Sequence, residues 1–175
     1  MAAAGPEMTT WDRKICLIGA AGVGKTSLVR RFMEGIFSDA YLTTIGVKVD
    51  RKEVAVGADR VQLVVWDIEG ETEYRSVRLR YLRGAAGYLV VVDGTRPASL
   101  DAALALQEQV ADRTPATPFL FLLNKSDLTG QWALPEPEEA ALAHRGPVFR
   151  TSARTGDHVE EAFLELARRV IPPTD

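Results

Sequence analysis

The stretch Gly19-Ala20-Ala21-Gly22-Val23-Gly24-Lys25-Thr26 decides the fold of this chain. It follows the apolar run Ile15–Ile18 and precedes a helix-like segment that begins at Ser27. A Gly-x-x-x-x-Gly-Lys-Thr pattern between a buried strand and a helix start is typical of a phosphate-binding loop. Its glycines let backbone N–H groups surround a phosphate, and the helix N-terminus adds partial positive charge. The sequence therefore predicts a nucleoside triphosphate site, in which Lys25 reaches the β- and γ-phosphates and Thr26 binds Mg²⁺.

The composition is that of one globular domain. The chain has 175 residues and a formal net charge of −3, so nothing in its charge favours nucleic-acid binding. The single cysteine, Cys16, excludes a disulfide within the chain and fits a reducing cytoplasm. No signal peptide, membrane-length apolar run or lipidatable terminal cysteine is visible in the sequence. We expect a flexible leader at residues 1–11, a domain at 12–171 and a short tail at 172–175.

The order of apolar patterns predicts an α/β fold. The predicted strands are Arg13–Ile18, a hairpin with strands around Val47–Val54 and Val61–Val65, Tyr88–Val92, Phe119–Leu123 and Pro147–Thr151. The predicted helices are Lys25–Glu34, Leu100–Val110, one opened by Pro135 and Pro137, and Val159–Val170. The resulting βαββαβαβαβα alternation predicts three layers: a mostly parallel sheet of about six strands, one of them antiparallel, with helices on both faces. Ligands of such sheets bind beyond the carboxyl ends of the strands.

A polar loop after one strand indicates which base is bound. Asn124-Lys125-Ser126-Asp127 directly follows the apolar run that ends at Leu123. The carboxylate of Asp127 can accept from two adjacent donors on guanine, the ring N–H and the exocyclic amine. Adenine lacks that pair, so a buried carboxylate without partners would disfavour it. Taken alone, this loop is equally consistent with a solvated turn. Together with the phosphate loop, it predicts guanine recognition.

Three further segments carry polar groups suited to the same ligand. Asp67-Ile68-Glu69-Gly70 follows a predicted strand; Asp67 is a candidate Mg²⁺ ligand, and Gly70 can offer its N–H to the γ-phosphate. Thr44 lies between the first helix and the hairpin, and its hydroxyl is a candidate second Mg²⁺ ligand, although Thr43 and Thr44 are also ordinary turn residues. Thr151-Ser152-Ala153-Arg154 follows the last strand, where a backbone N–H can bind the guanine oxygen.

Together these motifs resemble those of the small GTPases of the Ras superfamily, a group of P-loop NTPases, and are most similar to the Rab branch. The likeness runs from about Lys14 to Val170. The Rab-like features are Ile45-Gly46-Val47, Trp66 and Tyr81-Leu82-Arg83-Gly84-Ala85. By this resemblance Phe37 contacts the edge of the guanine and Tyr41 lies near the phosphates, while core or surface packing remains open for both rings. The nucleotide contacts expected in total are Gly19, Ala20, Ala21, Gly22, Val23, Gly24, Lys25, Thr26, Ser27, Phe37, Tyr41, Thr44, Gly70, Asn124, Lys125, Asp127, Ser152, Ala153 and Arg154.

The resemblance implies a switch that cycles between GTP and GDP forms with Mg²⁺. The γ-phosphate would order two switch loops, residues 37–46 and 70–83, which effectors, an exchange factor and a GTPase-activating protein would read. The role implied is regulatory, in trafficking or polarity. The expected location is cytoplasmic, with recruitment to a membrane or complex through a protein partner. The expected catalytic residues are Lys25, Thr44, Gly70 and Glu71, and the expected Mg²⁺ ligands are Thr26, Thr44 and Asp67.

The sequence departs from the family pattern beside the γ-phosphate. Glu71 stands where the family usually has a glutamine that orients the attacking water. An ionised carboxylate cannot donate a hydrogen bond, and at about 5 Å from a phosphate charge it is repelled by about 3 kcal/mol. We therefore expect Glu71 either to turn outward, leaving slow hydrolysis, or to take up a proton, unless it is a solvated residue without a catalytic part. The methyl group of Ala21, at a position that is glycine in the most familiar Ras proteins, would hinder an incoming arginine.

Two other functions remain open from the sequence. A GTP-binding scaffold with negligible hydrolysis is favoured by Glu71. An ATP-using enzyme requires Asp127 to be incidental. Four arginines, Arg75, Arg78, Arg80 and Arg83, fall in or after the second switch loop, and a solvated basic face explains them better than a catalytic arginine.

Overall fold

The computed structural model describes residues 8–40, 42–72 and 77–173. The strands are β1 (Thr10–Ile18), β2 (Val47–Val56), β3 (Asp59–Ile68), β4 (Gly87–Asp93), β5 (Phe119–Asn124) and β6 (Val148–Arg150). The α-helices are α1 (Lys25–Glu34), α2 (Pro97–Arg113), α3 (Glu136–Arg145) and α4 (Val159–Arg169). Short 3₁₀ turns occupy Leu79–Leu82 and Thr129–Gln131.

The six strands form one sheet in the order β2-β3-β1-β4-β5-β6. Only the β2–β3 pair is antiparallel, and the other four pairs are parallel. A turn at Gly57-Ala58 joins β2 to β3, and Gly57 adopts the positive φ of 59° that such a tight turn requires. These pairings confirm the predicted sheet with one antiparallel strand.

Alternate residues of the central strands belong to two separate apolar cores. On β1, Ile15 and Leu17 pack with residues of α1 and α4, whereas Cys16 and Ile18 pack with residues of α2 and α3. The sheet therefore has helices on both faces, as predicted, and the strands buried on both sides read as continuous apolar runs. Cys16 is fully buried, and burial raises the pKa of its thiol to about 12. It acts as a small core residue.

The structure differs from the predicted elements at a few boundaries. β1 begins at Thr10 rather than Arg13 because its backbone pairs along β3 from Thr10↔Arg60 onward. The polar residues at that end gave no apolar alternation to detect. The βαββαβαβαβα alternation also predicts a helix between β3 and β4. Residues 73–76 of that segment lie outside the described residues, and the described part contains the 3₁₀ turn Leu79–Leu82. Within the described ranges, no helix is long and apolar enough to cross a bilayer.

Candidate nucleotide-binding site

A cleft of about 380 Å³ opens at the edge where the parallel strands end. Its walls come from distant parts of the chain, because consecutive strands deliver their following loops to the same edge of the sheet. The lining residues belong to the phosphate loop and the start of α1, to residues 37–40 and 42–44, to Glu69, Gly70 and Thr72, to Asn124, Lys125, Asp127 and Leu128, and to Ala153 and Arg154. The structure thus brings most of the sequence-predicted segments to one cavity.

Close backbone approaches shape the phosphate loop. Gly24 has a φ of 101°, and a Cβ on it would lie 2.3 Å from the amide nitrogen Nδ2 of Asn124. Gly70 packs against the loop, and a Cβ there would lie 2.5 Å from the backbone nitrogen of Ala21. Any side chain at either position would force the neighbouring segment away. The glycines at these two positions therefore allow Asn124 and the segment 70–71 to contact the phosphate loop.

Lys25, the first residue of α1, is held beneath the phosphate loop. Its side chain is only 6% exposed, and its Nζ donates to the carbonyl oxygens of Gly19 at 3.1 Å and Ala20 at 3.0 Å. Burial lowers the pKa of Lys25 to about 8, assisted by the positive charge of Arg96 and opposed by the carboxylate of Asp67. A buried ammonium at this position is ready to pair with an anion that enters the loop.

The three predicted Mg²⁺ ligands lie together. The Thr26 hydroxyl is 2.5 Å from Oδ2 of Asp67 and 2.5 Å from the Thr44 hydroxyl, and Thr44 donates to the same carboxylate oxygen at 3.3 Å. The threonines come from α1 and from the loop after it, while Asp67 lies near the end of β3. The fold therefore gathers one carboxylate and two hydroxyls within hydrogen-bonding distance of one another.

The surroundings of Asp67 fit a small divalent cation. Its Oδ1 is buried and has no hydrogen-bond partner among the described residues. Burial raises the pKa of Asp67, although hydrogen bonds from the threonine hydroxyls and the charge of Lys25 partly counteract it. Oxygen ligands of this kind suit Mg²⁺, which keeps several waters and takes few protein ligands.

The segment that carries the unusual glutamate is paired with the phosphate loop through its backbone. Ala21 N–H donates to the Glu71 carbonyl at 2.9 Å, and Glu71 N–H donates to the Gly19 carbonyl at 3.2 Å, forming a short parallel bridge. The neighbouring Glu69 is tied to the other switch loop, because its carboxylate accepts from Gly46 N–H at 3.2 Å and its own N–H donates to the Gly46 carbonyl at 2.8 Å. The phosphate loop thus contacts both switch loops directly, and Gly46 of the first switch loop is paired with Glu69, the residue that precedes the second.

Buried side chains interlock the opposite end of the cleft. Asn124 donates to the Val23 carbonyl at 3.0 Å, and its Oδ1 accepts from Ala153 N–H at 3.3 Å. The Ser152 hydroxyl donates to Oδ1 of Asp127 at 2.7 Å. Both Asn124 and Ser152 are essentially inaccessible to solvent. These bonds orient the Asp127 carboxylate and hold the Ala153 backbone against Asn124.

Sequence reasoning missed Asp93, the buried last residue of β4. Its carboxylate forms a 2.8 Å salt bridge with Lys125, whose Nζ also donates to the Gly22 carbonyl at 3.0 Å. Burial raises the pKa of Asp93, but hydrogen bonds from Lys125 and Thr95 outweigh it, so the pKa lies below its usual value. These contacts hold Lys125 in a left-handed conformation with a φ of 67°, which is unfavourable for a residue with a side chain. The position of Asp93 directly after the apolar run Tyr88–Val92 was the signal available in the sequence.

The predicted aromatic contacts and switch arginines have mixed outcomes. Phe37 lines the cleft and is about one-third exposed. Tyr41 and Arg75 lie outside the described residues. Arg78, Arg80 and Arg83 are exposed, as expected for a solvated basic surface.

The fold and this cleft define an α/β nucleotide-binding protein of the P-loop class. The Ras family model matches residues 14–172, and the chain therefore belongs to the Ras family. It is 34% identical to Ras-related protein Rab-13 of Rattus norvegicus over 164 residues, which cover 92% of this chain and 81% of the relative. It is 35% identical to Ras-related protein Rab5A of Oryza sativa subsp. japonica over 172 residues, 97% and 85% of the two chains.

A third relative supports the same branch. Ras-related protein Rab-4B of Homo sapiens is 36% identical over 167 residues, which cover 93% of this chain and 78% of the relative. The chain is a Rab-like small GTPase of the Ras superfamily, as the sequence motifs predicted.

Proposed function

We propose that this chain binds GTP and GDP with Mg²⁺ in the cleft, hydrolyses GTP slowly, and reports the bound nucleotide to protein partners through residues 37–46 and 70–83. The observation that carries the proposal is that Lys25 and Asp127 line one cavity, while Asp67 is hydrogen-bonded to Thr26, another residue of its wall. A cation for the phosphates, a carboxylate for the metal and a carboxylate for the base are the three charges that a guanine nucleotide requires.

The base would be selected by Asp127. Its carboxylate accepts from Ser152 through one oxygen, and the residue lines the cleft. The guanine ring N–H and exocyclic amine would donate to this carboxylate. The guanine oxygen would accept from the backbone N–H of Ala153, which it would share with Oδ1 of Asn124. Adenine would leave the carboxylate without those donors, which costs about 1–3 kcal/mol or more for a charged group.

The phosphates and the metal would occupy the other end. Lys25 would exchange its bonds to the Gly19 and Ala20 carbonyls for contacts with phosphate oxygens, and Gly70 would donate its N–H to the γ-phosphate. Thr26, Thr44 and Asp67 would hold Mg²⁺, which when bound neutralises phosphate charge. Thr44 belongs to the first switch loop, so its position would depend on the nucleotide state.

Hydrolysis would be slow because of Glu71. Its backbone is bridged to the phosphate loop, which fixes the chain at this residue close to Ala21. A carboxylate here can accept a hydrogen bond from the attacking water but cannot also donate to the transition state while ionised. Its negative charge is also repelled by the anionic γ-phosphate, which disfavours the position from which the side chain would orient the water.

Loss of the γ-phosphate would release contacts on both switch loops. Thr44 and Gly70 would lose a shared ligand, and the pairing between Gly46 and Glu69 would transmit a displacement of one loop to the other. A protein effector that binds the ordered form of both loops would then dissociate. An exchange factor and a GTPase-activating protein would act on the same surface.

A nucleotide-exchange and single-turnover assay tests this function. Fluorescent GDP bound to the protein should be displaced by unlabelled GTP or GDP and not by ATP at the same concentration. Preloaded GTP should then be converted to GDP slowly but measurably with Mg²⁺. Displacement by ATP would overturn guanine recognition, and complete retention of GTP would favour a GTP-binding scaffold, the second function that Glu71 supports.

A further inference from the structure

The side chain of Arg96 joins the end of β4 to the phosphate loop. Arg96 immediately precedes α2 and follows Asp93 by three residues. Its Nη2 donates to the carbonyl oxygen of Ala21 at 2.9 Å, and its Nε is 3.1 Å from Oδ2 of Asp93. No motif in the sequence marks this arginine. Its contacts place it beside the nucleotide site, and its charge is close enough to lower the pKa of Lys25.

Arg96 completes a series of side-chain contacts to the carbonyl oxygens of the loop, and it alone among the donors does not line the cleft. Five successive carbonyl oxygens of the loop each accept a hydrogen bond from a side chain. Lys25 donates to Gly19 and Ala20, Arg96 to Ala21, Lys125 to Gly22 and Asn124 to Val23. Without Arg96, the Ala21 carbonyl would be the one gap in this series.

The contact between Arg96 and the Ala21 carbonyl also sets the direction of the Gly22 N–H. A trans peptide is planar, so a carbonyl oxygen and the N–H of the following residue point in opposite directions. A side chain that draws the Ala21 carbonyl outward therefore turns the Gly22 N–H inward. Among the described residues, none accepts a hydrogen bond from this N–H. Ala21 itself is fixed on its other side, because its N–H donates to Glu71.

Asp93 fixes the direction of Arg96. The same carboxylate oxygen of Asp93 contacts both Lys125 and Arg96, and these two cations donate to neighbouring carbonyls of the loop. A guanidinium can bond Asp93 through Nε and Ala21 through Nη2 at once because its donors lie in a rigid plane. A lysine carries the same charge without that fixed pair of directions.

We propose that Arg96, oriented by Asp93, is a positioning residue of the nucleotide site that holds the Ala21–Gly22 peptide with its N–H toward the bound phosphates. The inference rests on the proposed binding of guanine nucleotides. Arg96 acts through the backbone of the loop and serves GDP and GTP alike, because the peptide that it orients belongs to the loop rather than to a switch segment.

The test compares three variants of the full chain with the unchanged protein. Arg96→Gln removes the charge and the planar fork, and Arg96→Lys keeps the charge alone. Arg145→Gln is the matched control, because Arg145 is similarly exposed and forms a 3.0 Å salt bridge with Glu108 away from the cleft. Dissociation rates of fluorescent GDP and of a non-hydrolysable GTP analogue are measured with Mg²⁺. The amide proton shift of Gly22 is recorded in the GDP-saturated proteins.

Arg96→Gln should release both nucleotides about tenfold faster, as expected for one lost hydrogen bond to a charged donor. It should also move the Gly22 amide proton upfield, because its hydrogen bond to phosphate is weakened. The release rates and the Gly22 shift of Arg96→Lys should lie closer to those of Arg96→Gln than to those of the unchanged protein. Arg145→Gln should change neither the release rates nor the Gly22 shift. Unchanged release and an unchanged Gly22 shift in Arg96→Gln would overturn the inference. Full restoration by lysine would also overturn it, since charge alone would then suffice. Failure of the unchanged protein to bind GDP would instead refute the proposed function.

Discussion

The base end and the phosphate end of the cleft are built in different ways. At the base end, Asn124, Thr151 and Ser152 are buried. Thr151 donates to Asn124, Asn124 donates to a carbonyl of the phosphate loop, and Ser152 donates to Asp127. At the phosphate end, the contacts run from loop to loop, and the first switch loop also exposes Ile45, which is 79% accessible. Buried networks are rigid and fully bonded, whereas exposed loops open locally at low free-energy cost.

This difference predicts how the two ends should respond to substitution. Changes at the base end should weaken GDP and GTP equally, because both nucleotides carry the same base. Changes at the phosphate end should alter pH dependence, hydrolysis or loop mobility while leaving base recognition intact.

Substitution of Asp127 should give the largest effect. Asp127→Asn removes the charge and replaces an acceptor by a donor, so GDP and GTP should each bind about 10²- to 10³-fold more weakly. Xanthosine diphosphate, which has a carbonyl where guanine has the exocyclic amine, should bind better to the variant than to the unchanged protein. Titration calorimetry with all three nucleotides measures this. Asp157→Asn, at an exposed position in the neighbouring turn, is the control. An unequal loss for GDP and GTP would contradict the proposed division of the cleft.

A pH-dependent affinity should come from the phosphate end. The pKa of Lys25 is lowered to about 8 in the free protein, and phosphate contacts would raise it in the complex. Below about pH 8, Lys25 is charged in both states and the affinity should be flat. As the pH rises above 8, binding requires proton uptake, so the affinity should fall by up to about tenfold per pH unit.

Affinities for GDP measured between pH 7 and 9 test this expectation. Lys25→Arg should remove the slope, because arginine stays charged throughout this range. Asp127→Asn should keep the slope at a lower overall affinity, since the base end does not titrate with Lys25. A slope that persists in Lys25→Arg would assign the titration to another group.

The two ends also differ in how much of them the sequence predicts. The phosphate loop, the strand pattern and the polar loop at Asn124–Asp127 follow from local motifs, so their elements agree with the structure. Asp93 and its neighbour Arg96 escaped because a lone carboxylate after a strand and a lone surface arginine have no motif. Arg96 contacts the phosphate loop across 75 residues of chain, and Asp93 acts on the loop only through Arg96 and Lys125. Likewise, the backbone bridge between Glu71 and the loop depends on strand packing that no residue type reveals.

Glu71 gives the next effect in size. Glu71→Gln removes the negative charge and supplies a donor beside the γ-phosphate, so single-turnover hydrolysis should be about tenfold faster. The full repulsion of about 3 kcal/mol would give a larger acceleration, but Mg²⁺, Lys25 and solvent screen it. The affinity for GDP should not change, because the bridge to the loop is formed by the backbone. Glu161→Gln, an exposed position on α4, is the control. Equal hydrolysis rates for Glu71→Gln and the unchanged protein would remove the assigned role of the carboxylate.

The smallest effect should arise where the first switch loop meets Glu69, the residue that precedes the second switch loop. The Glu69 carboxylate accepts from Gly46 N–H, and a charged acceptor binds more strongly than a neutral amide oxygen. Glu69→Gln should therefore speed amide hydrogen exchange at residues 43–46 of the GTP-loaded protein by about two- to fivefold, and Glu69→Ala, which removes the acceptor, by about tenfold. Exchange at residues 124–127 should be unchanged in both variants, because buried side chains rather than loop contacts hold that end. Equal acceleration at both ends would mean that Glu69 supports the whole domain, and the distinction between a rigid base end and a responsive phosphate end would fail.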